Sequence, residues 1–157
     1  MTDQSGEGRP DGLVKVLFSL KAEGQPDLPF SAEGIWCRRL DDGGFQVANI
    51  PFFAAFVALG DKIEARPGTD GRLEFQRIRE ASGEITCVVL AAGSDEVDLA
   101  RNCAEIRDAL KARKAKSEYG VFGAGAHVFS FSVPPGDAGA ALMDDVERLV
   151  KAGIAIM

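Results

Sequence analysis

The chain has 157 residues, enough for one domain or for two small subdomains around a shared core, and 46% hydrophobic with 27% charged residues places it among ordinary globular proteins, not disordered ones. A net charge of −6, from 24 acidic and 18 basic residues, disfavours nucleic acid as a partner, because phosphate binding is driven by Lys and Arg releasing counterions. Cys37, Cys87 and Cys103 match no zinc or redox spacing, and their odd number argues against a disulfide framework, so a reducing, cytoplasmic setting is expected.

Residues 1–12 are nearly devoid of apolar side chains and rich in turn formers, which predicts a flexible N-terminus without a secretory leader. "LVKVLFSLK" then alternates Val14, Val16, Phe18 and Leu20 against Lys15, Ser19 and Lys21, the period of a strand with one buried face. In "IWCRRLDDGGFQVANI", Asp42-Gly43-Gly44 tolerates positive φ between two strand-like runs, so a hairpin is expected. Pro51 ends that pairing, and Phe52 to Leu59 is expected to make one or two helical turns before Gly60-Asp61. The apolar run over residues 50–59 is about half the ~20 residues of a spanning helix, so no membrane anchor is read there. Phe52, Phe53 and Phe56 are expected instead to plug a curved sheet.

"DKIEARP" and "GRLEFQRIRE" read as a second hairpin around "PGTDG", and "ITCVVLAA" as a central strand. Residues 13–83 therefore predict a strand-rich subdomain, a curved sheet or partial small barrel. Beyond it, Ser94 and Asp95 can cap a helix whose stripe is Leu99, Cys103, Ile106 and Leu110 and whose end is basic. "SEYGVFGAGAHVFSFSV" is a glycine-looped hairpin. A phosphate loop would need a helix after its glycines, and a strand follows here. Asp137 is expected to cap a second helix with Ala138, Leu142, Val146 and Leu149 on one stripe, ahead of a short last strand in "IAIM". The order β-α-β-β-α-β over residues 84–157 is ferredoxin-like, so the fold class expected is α+β, two subdomains sharing a core.

Chemistry is sparse. His127, the sole histidine, falls in register with Phe129, Phe131 and Val133, which favours a structural role. Cys37, beside Arg38 and Arg39, is the one cysteine in a setting that could lower a thiol pKa, whereas Cys87 and Cys103 read as core. No catalytic residue, metal or cofactor site is assigned. A cationic strand face made of Arg38, Arg39, Arg72, Arg77 and Arg79 would suit a carboxylate or an acidic peptide. The candidate binding residues are Trp36, Arg38, Arg39, Phe52, Phe53, Arg77 and Arg79.

The combination Glu33-Gly-Ile-Trp36, Asn49-Ile-Pro-Phe52, Gly60-Asp61 and Ser82-Gly83 resembles a bacterial family of small uncharacterised proteins, a domain of unknown function, over residues 13–156. That resemblance implies a bacterial cytoplasmic protein and carries no activity, cofactor or catalytic residue. The function expected is a non-enzymatic accessory or regulatory protein that binds a peptide or protein partner, or a second copy of itself, through an exposed sheet edge. Two other readings are a small hydrolase or transferase using Cys37 or His127, and an acidic neutraliser of a toxin or nuclease.

Overall fold

A computed structural model describes residues 12–20 and 31–157. The expectation of a flexible N-terminus lies outside these residues except at Gly12. The described chain is a mixed α+β structure: a closed five-stranded barrel followed by a four-stranded sheet carrying two helices on one face.

The barrel is a meander of β1 (Leu13–Ser19), β2 (Ala32–Arg39), β3 (Phe45–Val47), β4 (Lys62–Pro67) and β5 (Leu73–Glu80). Successive strands pair antiparallel, and a short parallel pairing of β1 with β5, at Val16 with Leu73 and Leu17 with Glu74, closes the ring. The period-2 alternation sends Val16, Phe18, Ile35, Cys37, Phe45, Val47 and Ile63 into the interior. The Asp42-Gly43-Gly44 turn forms as its residues require. Gly43 takes φ +86°, and the Asp42 carboxylate accepts the Gly44 N–H at 2.9 Å.

Between β3 and β4 the chain makes turns and no helix, contrary to the local propensity of "FFAAFVAL". The amides that a helix would leave unsatisfied in its first turn are taken by a distant carboxylate, that of Glu33 on β2. The following residues close tight turns, Val57 N–H to the Ala54 carbonyl and Asp61 N–H to the Ala58 carbonyl. Ala54 and Val57 fill the barrel end, with Phe53 packed partly against them. Phe56 is 48% exposed and lies over Phe18 and Phe75, so the plug is made mainly by the two smaller side chains.

The second sheet comprises β6 (Ile85–Ala91), β7 (Ser117–Phe122), β8 (Ala126–Val133) and β9 (Ala155–Ile156), all antiparallel in the order β7-β8-β6-β9. Helix α1 (Glu96–Ala112) follows β6 and α2 (Asp137–Lys151) follows β8. Asp95 caps α1 as expected, accepting the Asp98 N–H at 2.8 Å. Asp137 is the first helical residue of α2 and not its cap: Gly136, at φ +84°, holds that position without a side-chain bond. The acidic group then favours the helix through its dipole. Cys103, Ile106 and Leu110 of α1 and Leu142 and Val146 of α2 pack on Val89, Phe129, Phe131 and Val133.

The other face of this sheet turns hydroxyls to the segment between β3 and β4. Ser130, fully buried, donates to the Pro51 carbonyl, and Thr86 donates to the Val57 carbonyl at 2.8 Å. Central strand β8 is thus buried on both sides, apolar toward the helices and hydroxylic toward the barrel.

Gly139 lets α2 approach the chain that precedes it, because a Cβ there would run into the Pro134 carbonyl oxygen. Gly139→Ala is expected to destabilise the protein by about 1–3 kcal/mol through this overpacking, although alanine is the better helix former. Chemical denaturation of the two proteins checks it.

Candidate functional site

The residues that carried the family resemblance converge on the segment between β3 and β4, which rests against the second sheet. Glu33 accepts the amides of Phe52, Phe53 and Ala54 at 2.7, 2.9 and 2.7 Å. Asn49 accepts the Trp36 N–H at 2.7 Å. Asp61, 4% exposed, takes the Ala58 N–H at 2.9 Å on one oxygen and the Ser82 N–H at 2.8 Å on the other, which ties the segment to the β5–β6 connection. Glu118 of β7 reaches the same segment and accepts from the Ile50 amide. Burial, together with the Glu33 charge, raises its carboxyl above the ordinary range against that hydrogen bond. Phe52 and Phe53 meet Phe122 edge-on, with ring centroids 5.0 and 4.9 Å away. Phe52 and Phe53 are therefore contact residues between the two halves of the fold.

The other residues expected from sequence lie apart. Trp36 points out of the barrel, and Lys15, its cross-strand neighbour, places its ammonium 4.9 Å from the ring centroid. The arginines form no open cationic face. Arg77 grips Glu64 at 2.8 and 2.9 Å, holding that carboxyl below its usual range. Arg79 pairs with Asp42, whose carboxyl is lowered first by the Gly44 amide and then by this arginine. Arg72 pairs with Asp70, and Arg39 lies over the Phe45 ring at 5.4 Å. Arg38 is exposed on β2 opposite Leu13 and Gln46.

Cys37 lies inside the barrel with no exposed surface, its thiol directed at the Ile35 carbonyl, and burial pushes its pKa up to about 12. A thiol held protonated at neutral pH is not a nucleophile. Among the described residues no three His, Cys, Asp or Glu side chains are grouped to hold a metal ion, and no helix is long and apolar enough to cross a membrane.

One cluster is not evident from the sequence. Among the described residues edge strand β7 pairs only with β8, and the Ser132 N–H bonds the Lys116 carbonyl at 3.0 Å. In an antiparallel ladder the direction alternates, so Glu118, Gly120 and Phe122 address β8 while Ser117, Tyr119 and Val121 turn their peptide groups outward. Tyr119 and Val121 are 44% and 53% exposed. Tyr119 also bonds the His127 Nδ1 through its hydroxyl, and the Arg107 guanidinium of α1 stands 5.5 Å from the Tyr119 ring centroid and 5.9 Å from that of Phe129. By its sequence "SEYGVF" is only a hairpin arm. The exposed Tyr-x-Val alternation was visible there, but its meeting with His127 depends on the Val121–His127 register.

The family model of a domain of unknown function, DUF4265, matches residues 33–157. The chain belongs to this family. No curated protein matches the DUF4265 chain. A solved structure, described as a novel crystal structure of a hypothetical protein from Neisseria gonorrhoeae, is similar at a TM-score of 0.59 and 19% identity, covering 94% of this chain and 92% of that one. That likeness concerns the fold alone.

For this DUF4265 protein, Cys37 is expected to resist thiol reagents at pH 7 until the barrel unfolds. The sign of its pH effect follows from the raised pKa. The folded state holds the thiol proton more tightly, so this stabilisation is complete below the ordinary thiol value of 9.0 and is lost as pH rises toward about 12. Denaturation midpoints of wild type and Cys37→Ala between pH 8 and pH 11, roughly that window, check it: the wild-type curve falls more steeply.

Proposed function

We propose that this protein is a non-enzymatic accessory module that captures an extended segment of a protein partner by adding it as a strand along β7. The observation that carries the reading is the outward turn of the Ser117, Tyr119 and Val121 peptide groups on an edge strand whose flanking side chains, Tyr119 and Val121, are apolar and exposed. Main-chain bonds would supply affinity and the two side chains a preference for apolar residues at alternate positions. The lane beside β6 is the weaker rival, since β9 already occupies it at Leu90 and Ala91.

Within this reading residues 13–83 and 84–157 are two subdomains meeting along residues 49–61. The element order and strand order of the second support the ferredoxin-like arrangement. A bacterial, cytoplasmic setting fits three free cysteines. Burial of Cys37 speaks against the cysteine hydrolase.

The test is panning of a random dodecapeptide display library on the immobilised protein. Wild type is expected to enrich peptides with alternating apolar residues, and Val121→Pro, which deletes one outward donor and spares the ladder to β8, to weaken them about tenfold. A wild-type dimer that Val121→Pro turns into a monomer would assign the same edge to a second copy. Enrichment of no peptide by a monomer, or equal binding by Val121→Pro, would overturn the proposal.

A further inference from the structure

We infer that the segment docking on β7 carries an acidic side chain, received by Arg107 with His127 beside it. This rests on the strand-addition reading above and specifies its partner.

Arg107, like Arg38, Arg39 and Arg66, holds no carboxylate among the described residues, and it alone of these lies over Tyr119 of the β7 edge. Arg72, Arg77, Arg79, Arg101, Arg113 and Arg148 each hold a carboxylate. Arg107 has no carboxylate partner among the described residues, and none stands at the helical positions three or four away, which are Cys103, Ala104, Leu110 and Lys111. Its guanidinium is instead spread over the rings of Tyr119 and Phe129, an arrangement that orients the planar fork while leaving its donors open.

His127 adds a second donor to the same patch. A Tyr119 hydroxyl that donates to Nδ1 leaves the proton of the neutral ring on Nε2, and a doubly protonated ring donates there as well. Glu118, the nearest acid along β7, faces the barrel side of the sheet, where it accepts the Ile50 amide, so it does not neutralise this face. A strand paired with β7 runs past Tyr119 and Val121, within reach of a guanidinium that lies over Tyr119. An Asp or Glu on the helix-facing side of that strand gives the Arg107 guanidinium the carboxylate it lacks, and a fork-to-carboxylate pair is geometrically selective.

The peptides enriched by wild type in the panning experiment serve as the probe, each resynthesised with its acidic residue replaced by the amide. Acidic residues are expected beside the apolar pair, and the acid form is expected to bind about tenfold more tightly than the amide form. Arg107→Gln is expected to abolish that preference while still binding both forms, and Arg107→Lys to restore part of it. Circular dichroism melts confirm that both variants are folded. If wild type enriches strand-forming peptides without acidic residues, or if Arg107→Gln keeps the acid-over-amide preference, this inference fails while strand addition stands. If nothing binds β7, the proposed function itself fails.

Discussion

Three backbone amides in a row, those of Phe52, Phe53 and Ala54, point at one carboxylate, that of Glu33, and the rest of the molecule depends on that contact. Charge-assisted bonds of this kind are roughly twice as strong as neutral ones, and three of them fix the path of the chain where it leaves the barrel wall. The fixed path sets Ala54 and Val57 into the barrel end and presents the Pro51 and Val57 carbonyls to Ser130 and Thr86. Asp61 repeats the device at the other end of the segment by binding Ala58 and Ser82. Two carboxylates thus replace the helix that local propensity favours, and the resulting irregular segment is the surface on which the second sheet rests.

Much of this architecture was legible because it rests on local periodicity. The barrel strands, the hairpin around Asp42-Gly43-Gly44, the Asp95 cap and the stripe of Cys103, Ile106 and Leu110 follow from alternation, turn chemistry and a 3.6-residue repeat. Barrel closure was not legible, since it hangs on the pairing of Val16 with Leu73 and Leu17 with Glu74, residues far apart in the chain. The turns of residues 52–59 were misread for the same reason: the group that captures their amides is about twenty residues upstream.

The candidate site shows the same division. A count of arginines suggested a cationic face, but a sequence does not display that Glu64 stands opposite Arg77 or that Asp42 meets Arg79. Such exposed pairs add little stability, yet they remove the net charge on which a binding patch would depend. Conversely, Arg107, Tyr119 and His127 are unremarkable in the chain and acquire meaning once the β7–β8 register and the position of α1 bring them together. The family motif residues and the binding edge are thus separate: Glu33, Trp36, Asn49 and Asp61 build the junction, while β7, which the junction supports through Glu118 and Phe122, presents the edge.

The most direct measurement of this account is amide hydrogen exchange at Phe52, Phe53 and Ala54 in wild type and in Glu33→Gln, which keeps the side-chain size and removes the charge. If the carboxylate organises the segment, these amides are slow in wild type and lose protection together in the variant, while those of barrel strand β4 change little. Equal protection in the two proteins would contradict the central role of Glu33.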